Sequence, residues 1–374
     1  MKISVITLHT VNNYGSVLQT YATQTILENM GHSVEFVDYW RKDNTGKASI
    51  DKALESAFMK KHKNLWGKNA ITKKLVRLPV RIILAKKRAP MKKFLKERIH
   101  LTPHPYYSFE EILSDVPEAD IYMTGSDQVW NSTWNKGIER PFFLEYAPQN
   151  KKRIAFAASI GKTSLDDWEI GVTKEMLSKY NKISMREESG VEILSEIGIQ
   201  AEQVIDPTLM LDAKQWEKIS KPYKHNNPYL LIYQLNTNTK MDKYAIDLAK
   251  KQGWEIVRIS YGYSGKQKTG KCLVCPSVET LLGCFSGAEC ILTDSFHATA
   301  FSLNFNKEFV SVLPERFSTR IESILSLTGT EARILGDYSD LSIVDNKIDY
   351  DYVNRILEEE RHKAFGFLEM AINE

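Results

Sequence analysis

The segment 288–301 constrains the fold of this chain more than any other. An apolar run from Cys290 to Leu292 ends abruptly at Thr293, and small and apolar residues resume at helical spacing after His297. This order predicts a buried strand, a polar turn and the start of a helix. In open α/β sheets, ligands bind at the carboxyl ends of such strands, where a helix N-terminus attracts an anion. Taken alone, the segment fits a ligand-binding histidine and equally a structural histidine beside a helix cap formed by Asp294 or Ser295.

The same alternation of strands and helices runs through the whole chain. Apolar runs predict strands at 3–8, 34–39, 121–124, 154–158, 182–185, 203–205, 229–234, 255–259, 290–292 and 309–312. Apolar residues at helical spacing predict helices at 17–29, 75–98, 174–179, 191–196, 241–252, 278–283 and 298–303, and a terminal helix at 352–371. Strands separated by helices favour two parallel sheets with right-handed crossovers. Because the pattern restarts after Asp206-Pro207, we predict an N-terminal Rossmann-like domain over 1–210 and a C-terminal one over 211–374.

The composition narrows the class of protein. A chain of 374 residues, 43% of them hydrophobic, can bury two ordinary cores. Its net charge of +3 is too small to indicate nucleic-acid binding. The apolar run at 3–8 is too short for a signal peptide, and no run reaches the roughly 18 apolar residues that span a membrane. These observations predict a cytoplasmic protein.

The cysteines lie in one stretch with the spacing C-x2-C-x8-C-x5-C, and they are Cys272, Cys275, Cys284 and Cys290. A zinc site usually pairs two short spacings, and this stretch has one. We therefore expect ordinary buried or loop thiols and no metal.

A basic helical insertion is predicted at about 52–100. Its cations are Lys60, Lys61, Lys63, Lys68, Lys73, Lys74, Arg77, Arg81, Lys86, Lys87, Arg88, Lys92, Lys93, Lys96 and Arg98. Between Lys60 and Arg98 only Glu97 opposes them, and the interleaved apolar residues are Leu75, Val76, Leu78, Ile82, Ile83, Leu84, Phe94 and Leu95. Such a stretch either lies on an anionic membrane surface or forms the solvated face of basic helices. The first alternative predicts a peripheral location at the inner face of a membrane.

Several short blocks follow one another in a characteristic order. They are Asn12-Asn13-Tyr14-Gly15-Ser16, Thr124-Gly125-Ser126-Asp127-Gln128, Ala158-Ser159-Ile160-Gly161, Ser184-Met185-Arg186-Glu187, Asp206-Pro207-Thr208-Leu209 and Asp294-Ser295-Phe296-His297. No single block is diagnostic. Together, from about residue 10 to about residue 325, they resemble the polysaccharide pyruvyl transferase family. The resemblance implies two facing Rossmann-like domains of the glycosyltransferase-B type, and we expect the acceptor on the N-terminal side and the donor on the C-terminal side.

The resemblance also implies a reaction. The enolpyruvyl group of phosphoenolpyruvate would be transferred to two hydroxyls of a sugar, in a polysaccharide or a lipid-linked precursor, to form a pyruvate ketal with release of phosphate. Phosphoenolpyruvate would be the donor substrate, and no cofactor is implied. Such a site needs donors for a phosphate and a carboxylate, an acid and a base, and stabilisation of positive charge at the central carbon.

Three residues are the predicted catalytic groups. Arg186 ends a strand and would pair bidentately with a phosphate or carboxylate of the donor, the alternative being a surface salt bridge with Glu187 or Glu188. His297 would contact the phosphate and serve as general acid or base. Asp127 is a second acid/base candidate, and its alternative role is a helix cap.

The predicted substrate-binding residues are Asn13, Gly15, Gln128, Ser159, Gly161, Ser295 and Phe296. Backbone N–H groups near Ser159 and Gly161 could hold an anion after a strand, and the Ser295 hydroxyl could add a donor to it. Asn13 and Gly15 would handle sugar hydroxyls. Trp130 and Trp134 are candidates for stacking on a sugar ring, although a lone tryptophan more often belongs to the core.

Two other functions stay open. A glycosyltransferase of the same architecture would use a nucleotide sugar, for which Arg258 and Lys266 are available, but no convincing ribose-binding glutamate follows 294–297. A non-catalytic sugar-binding protein would not need an arginine, a histidine and a glycine turn at strand ends. The acceptor sugar, the hydroxyl pair and the ketal stereochemistry do not follow from the sequence.

Overall fold

The computed structural model describes residues 1–55, 70–261 and 269–374. Its strands are β1 Lys2–Ile6, β2 Ser33–Phe36, β3 Ile121–Thr124, β4 Lys152–Ala158, β5 Lys182–Met185, β6 Glu202–Gln203, β7 Tyr229–Tyr233, β8 Glu255–Ser260, β9 Lys271–Val274, β10 Cys290–Thr293 and β11 Glu308–Ser311. They form a six-stranded sheet in the order β2-β1-β3-β4-β5-β6 and a five-stranded sheet in the order β11-β10-β7-β8-β9. Every paired register in both sheets is parallel.

Helices connect the strands and cover both sheets. They are α1 Tyr14–Asn29, α2 Gly46–Leu54, α3 Ala70–Arg98, α4 Phe109–Ser114, α5 Ser132–Asn135, α6 Asp167–Leu177, α7 Glu188–Glu196, α8 Pro207–Met210, α9 Ala213–Glu217, α10 Thr239–Gln252, α11 Val278–Gly287, α12 Phe296–Asn304, α13 Thr319–Leu327 and α14 Tyr350–Asn373. Short 3-10 turns lie at Lys42–Asn44, Arg140–Phe143 and Glu331–Arg333. The predicted α/β architecture of two parallel sheets with a C-terminal helix is therefore confirmed.

Each sheet has one point at which the strand order reverses. In the first sheet, the chain runs outward in both directions from between β1 and β3, and in the second from between β7 and β10. Neighbouring crossovers leave a crevice at such a point, at the carboxyl ends of the strands, and ligands of α/β proteins bind there. The topology thus directs attention to the segments that follow β1, β3, β7 and β10.

The two sheets are joined through a shared apolar contact around Trp216 in α9. Its fully buried indole lies 5.1 Å from the Phe301 ring of α12 and 5.7 Å from the Tyr21 ring of α1. Its Nε1 donates to the carbonyl of Thr208 at 3.0 Å. The chain passes from the first sheet to the second through this packed segment, and the predicted boundary at 210/211 lies within it.

The terminal helix α14 spans both halves. Arg361 Nε donates to the Leu209 carbonyl at 2.8 Å, and its Nη2 donates to Asn304 Oδ1 at 3.2 Å. Further along the helix, the Phe367 ring stacks on Phe156 of β4, with centroids 6.4 Å apart. The helix therefore adds to the core of the first sheet after the chain has completed the second.

Some elements differ from the sequence prediction. The edge strand β9 was missed because it is short and partly exposed, so it lacks an apolar run. Helices α2, α4, α5, α8, α9 and α13 were also missed, and α1 begins at Tyr14, three residues before the predicted start. The predicted cations Lys60, Lys61, Lys63 and Lys68 lie outside the described residues, as does Lys266. Among the described residues, no helix is long and apolar enough to cross a membrane.

Truncation of Phe367 tests the role of α14 as part of the first core. We expect Phe367→Ala to lower the free energy of unfolding by about 3–5 kcal/mol, because a buried aromatic ring is lost from a packed contact. Met370→Ala, on the same helix but 42% exposed, should change it by less than about 0.5 kcal/mol. Urea unfolding followed by circular dichroism measures both. Equal small effects would show that α14 is not integral to the fold.

Candidate active site

A charged cluster lies where several strands end. Asp127 follows β3, Arg186 follows β5, and Asp206 follows β6. His297 lies in the first turn of α12 after β10, and Arg320 lies in the first turn of α13 after β11. Because parallel strands bring their carboxyl ends to one edge, residues distant in sequence meet here.

Arg186 is the centre of this cluster. Its side chain has no exposed surface, and Nη1 donates to Asp206 Oδ2 at 2.8 Å. Nη2 donates to Asp127 Oδ1 at 3.3 Å, and Nε lies 3.7 Å from Glu187 Oε2. Although burial lowers the pKa of Arg186, the charges of Asp206, Asp127 and Glu187 raise it above the usual range. The guanidinium is therefore a fixed cation held by three carboxylates.

These contacts correct the predicted role of Arg186. The sequence suggested a free guanidinium that would pair bidentately with the donor, or else a surface salt bridge. The structure shows neither, because the side chain is fully buried and already shared between Asp127 and Asp206. The charge of Arg186 serves first to hold these two carboxylates in place.

Asp127 has a strained backbone that aims its carboxylate at the cluster. Its φ is +82°, a region that non-glycine residues rarely occupy. Ser16 Oγ donates to its Oδ2 at 2.5 Å, which ties the first turn of α1 to β3. Burial raises the pKa of Asp127, but the charges of Arg186 and His297 and the bond from Ser16 lower it to about 2. Asp127 is thus an ionised carboxylate at neutral pH and does not cap a helix.

Asp206 connects the cluster to the segment between the sheets. It caps α8, since its Oδ1 accepts from the N–H and hydroxyl of Thr208 at 2.9 and 2.7 Å. Its Oδ2 accepts from Arg186 and, at 3.0 Å, from Ser126. Burial raises its pKa, but His297 and Arg186 hold it below its usual range.

The turn after β4 binds a carboxylate of the protein itself, that of Glu187. Ser159 Oγ and the backbone N–H groups of Ile160 and Gly161 all donate to Glu187 Oε1, at 2.8, 3.0 and 2.9 Å. These donors are therefore already occupied, and the binding of the phosphoenolpyruvate donor by Ser159 and Gly161 stays a prediction. These donors fix the Glu187 carboxylate beside the Arg186 guanidinium.

His297 lies at the contact between the two halves of the molecule. Its Nε2 is 4.0 Å from Asp206 Oδ2 and has no hydrogen-bond partner within the described residues. A methyl group built on Gly15 of α1 would lie 2.1 Å from Nδ1, so only glycine leaves room for the ring. Burial lowers the pKa of His297 to about 4, and the nearby Asp206 and Asp127 offset this only in part. The imidazole is therefore neutral at neutral pH.

Arg320 is a second guanidinium of the cluster, and it was not predicted from the sequence. Its Nη2 donates to the Phe317 carbonyl at 3.4 Å, and its buried Nε has no hydrogen-bond partner within the described residues. Burial, together with the like charge of Arg186, lowers its pKa to about 10. Both guanidiniums pack near the Phe296 ring, Arg186 Cζ at 4.8 Å and Arg320 Cζ at 6.0 Å. Phe296 therefore lies near two cations, Arg186, which is ion-paired with three carboxylates, and Arg320, which has no ion pair within the described residues.

The remaining predicted residues lie around the cluster in structural roles. Asn13 caps α1, its Oδ1 accepting from the Gly15 N–H at 2.9 Å. Ser295 caps α12, its Oγ accepting from the Ala298 N–H at 3.5 Å, and its predicted part as a donor to an anion stays a prediction. Gln128 Oε1 accepts from Asn131 at 2.9 Å.

Asp294 and the tryptophans have different surroundings from those predicted. Asp294 accepts from the N–H groups of Leu235 and Asn236 at 2.7 and 2.8 Å, so it closes the loop after β7 and does not cap α12. Trp130 is buried and stacks on Phe143, which excludes it from sugar stacking. Trp134 is 46% exposed and stays a stacking candidate.

The described residues also bear on the alternative chemistries. Arg258, considered for a nucleotide, is 2% exposed and donates to Asp242 at 2.6 Å and to Gln234 at 2.8 Å. The four cysteines are free thiols, and Cys284 and Cys290 are buried. Within residues 1–55, 70–261 and 269–374, no three histidine, cysteine or acidic side chains are grouped to hold a metal ion.

Solved structures of low identity share the architecture. The UDP-GlcNAc 2-epimerase from Methanocaldococcus jannaschii matches with a TM-score of 0.51 at 11% identity, covering 96% of this chain and 99% of that one. The enzyme of the same name from Neisseria meningitidis, bound to UDP-GlcNAc, matches with a TM-score of 0.50 at 10% identity over 100% and 99% of the two chains. At such identities the likeness shows the fold alone, and the fold is that of the glycosyltransferase-B class.

The family follows from the sequence itself. The model of the family described as polysaccharide pyruvyl transferase matches residues 13–315, well over half of the chain. The chain therefore belongs to the polysaccharide pyruvyl transferase family, which indicates a transferase of polysaccharide biosynthesis. No match was found among curated proteins.

Substitution of Gly15 tests the contact between α1 and His297. We expect Gly15→Ala to destabilise the protein by about 1–3 kcal/mol, because its methyl would overlap the imidazole. Gly171→Ala is the matched control, since Gly171 also lies in a helix but its methyl would meet nothing within 4 Å. In that control the free energy of unfolding should rise by about 0.5–1 kcal/mol, because alanine has a higher helix propensity than glycine. Urea unfolding of both variants decides, and a stabilised Gly15→Ala would rule out the contact.

The depressed pKa values predict loss of stability in acid. Below about pH 6.5 the unfolded chain protonates His297, whereas the folded state resists until about pH 4, so up to about 3 kcal/mol is lost across this window. Protonation of Asp127 extends this loss of stability from about pH 4 towards pH 2, because its pKa is lower in the folded protein than in the unfolded chain. Urea unfolding measured at a series of pH values should show that the loss of stability between about pH 6.5 and pH 4 disappears in His297→Gln. It should persist in His104→Gln, whose side chain is 54% exposed. Identical profiles would place His297 in a wetter site.

Proposed function

We propose that this protein transfers the enolpyruvyl group of phosphoenolpyruvate to two hydroxyls of a sugar, forming a cyclic ketal and releasing phosphate. The observation that carries the proposal is the presence of two buried nitrogens, His297 Nε2 and Arg320 Nε, that have no hydrogen-bond partner within the described residues. They lie beside the ionised carboxylates of Asp127 and Asp206. Such a site combines unused hydrogen-bonding groups with fixed negative charge, and the proposed reaction needs both.

Arg320 supports binding of the donor anion. Its guanidinium stays protonated at neutral pH, is only half-buried, and is the less paired of the two cations of the cluster. A guanidinium with unused donors favours a phosphate or carboxylate in a bidentate geometry. Arg186 takes a supporting part in this proposal, because its charge is already balanced by Asp127 and Asp206.

His297 supports the proton transfers. A neutral imidazole with a free Nε2 accepts a proton from an attacking sugar hydroxyl. The oxygen bonds to C2 of the donor while C3 gains a proton and becomes a methyl group. A second sugar hydroxyl then attacks C2, and the bond between C2 and the phosphate oxygen breaks. The proton of this second hydroxyl leaves with the phosphate. One hydroxyl proton ends on the methyl group and the other on the phosphate, so the reaction balances.

The carboxylates support the intermediate stage of the reaction. Positive charge develops at C2 when C3 is protonated, and Asp127 and Asp206 offer fixed negative charge at a buried site. They also stabilise an imidazolium at His297 once it has taken a proton, since both charges raise its pKa. Each carboxylate is held in place by hydrogen bonds, so little reorganisation is needed during the reaction.

The acceptor is proposed to approach from the first sheet. Asn13 and Gln128 are partly exposed in the segments that follow β1 and β3, and Trp134 of α5 offers an exposed indole. An exposed indole favours stacking on the apolar face of a sugar ring, and exposed polar side chains favour hydrogen bonds to the hydroxyls at the edge of the ring. The acceptor class proposed is a sugar unit of a polysaccharide or of its precursor.

Phosphate release from phosphoenolpyruvate in the presence of candidate glycans tests this proposal. We expect Arg320→Gln to lower kcat/KM for phosphoenolpyruvate by about 10- to 100-fold, the loss of a charge-assisted bond. The matched control is Arg316→Gln, at an exposed arginine of the loop that precedes α13, which should behave as wild type. His297→Gln should lower kcat by about 10²–10⁴-fold, as for a lost general acid or base.

Two results would contradict the proposal. Consumption of a nucleotide sugar with the same glycans, and none of phosphoenolpyruvate, would show a glycosyltransferase. Glycan binding without turnover of either donor, in protein with a normal unfolding transition, would show a binding protein.

A further inference from the structure

Helix α3 presents apolar side chains to solvent. Leu75 is 67% exposed, Leu78 is 59% exposed, and Ile82 and Ile83 are each 48% exposed. At helical spacing, positions 75, 78 and 82 lie on one stripe, and position 83 borders it. A helix of a globular protein normally turns such residues towards the core. The apolar stripe of α3 therefore faces away from the rest of the described structure.

On the opposite side of α3, some of the cations of the helix contact the rest of the protein. Arg77 forms an ion pair with Asp51 of α2 at 2.7 Å, and Arg88 donates to Ser49 Oγ at 2.8 Å. Near the end of the helix, the buried Phe94 packs edge-on against Tyr21 of α1, with ring centroids 5.5 Å apart. The orientation of α3 is thus fixed by specific contacts, and the exposure of its apolar stripe follows from them.

The exposed face of α3 is also strongly basic. The whole helix α3 contains eleven lysines and arginines, against one glutamate. The exposed cations are Lys74 and Arg81 beside the apolar stripe and Lys86, Lys92, Lys93 and Lys96 further along the helix. An apolar stripe bordered by lysines is the pattern of a helix that lies in the interface of a bilayer.

We propose that α3 docks flat on an anionic phospholipid surface, with Leu75, Leu78 and Ile82 among the acyl chains and the lysines at the phosphates. The positive charge of this face of α3 favours anionic phospholipids as its binding partner. A second copy of the face would bring like charges together, whereas anionic headgroups neutralise them. The inference goes beyond the proposed function and does not depend on it. It would place the protein where lipid-linked precursors are found.

Flotation with vesicles tests the proposal without donor or acceptor. The wild-type protein should float with vesicles of phosphatidylcholine and phosphatidylglycerol in equal parts and not with phosphatidylcholine alone. The double variant Leu78→Ser/Ile82→Ser should weaken binding by about tenfold or more, because two apolar side chains no longer enter the bilayer. Lys92→Gln/Lys93→Gln should weaken it by about fivefold per lysine, and added salt should reduce this difference.

Matched control variants show whether an effect on vesicle binding is specific to the exposed face of α3. Trp168→Ser/Ile170→Ser removes exposed apolar side chains from α6, and Lys243→Gln/Lys250→Gln removes exposed lysines from α10. Both should float as wild type does. No flotation of the wild type with the mixed vesicles would overturn the proposal. So would a concentration-dependent dimer that Leu78→Ser/Ile82→Ser abolishes, because the face would then cover a second copy.

Discussion

The buried guanidinium of Arg186 is the interaction on which the rest of the site depends. It joins Asp127, Asp206 and Glu187, which follow three different strand ends. Removing a charge from water is costly, and in this cluster the cost is offset only because the partners are close and hydrogen-bonded. Each carboxylate is in turn held by other donors, such as Ser16 on Asp127. The network therefore fixes α1, β3, β5 and α8 relative to one another.

That arrangement determines which groups are left for a substrate. Arg186 is ion-paired with three carboxylates, although its Nε makes no hydrogen bond within the described residues. The second sheet contributes His297 Nε2 and Arg320 Nε, which also have no hydrogen-bond partner within the part of the chain that the structure describes. The first sheet supplies the fixed carboxylates of Asp127 and Asp206, and Gly15 lets α1 approach the imidazole closely. Both halves thus contribute different chemistry. Asp127 and His297 follow strands at the points where the strand orders reverse, whereas Asp206 and Arg320 follow the edge strands β6 and β11.

The sequence predicted the architecture better than it predicted the contacts. Apolar runs and helical spacing located most strands and helices, and they placed His297, Asp127 and Arg186 at strand ends. The partner of Arg186 could not be read from spacing, because a buried ion pair forms between distant segments. The turn at Gly161 looked like an anion site, and its anion proved to be Glu187. Arg320 was missed with α13, although Ile321, Ile324 and Leu325 repeat at helical spacing there.

The most direct test follows the donor carbon into the product. Phosphoenolpyruvate labelled with ¹³C at C2 would be incubated with the protein and a glycan acceptor, and the purified glycan examined by ¹³C NMR. The account predicts a labelled ketal carbon bonded to two sugar oxygens, with an equal amount of phosphate released. Label that stays in phosphoenolpyruvate or pyruvate, while the glycan gains a sugar from a nucleotide donor, would contradict it.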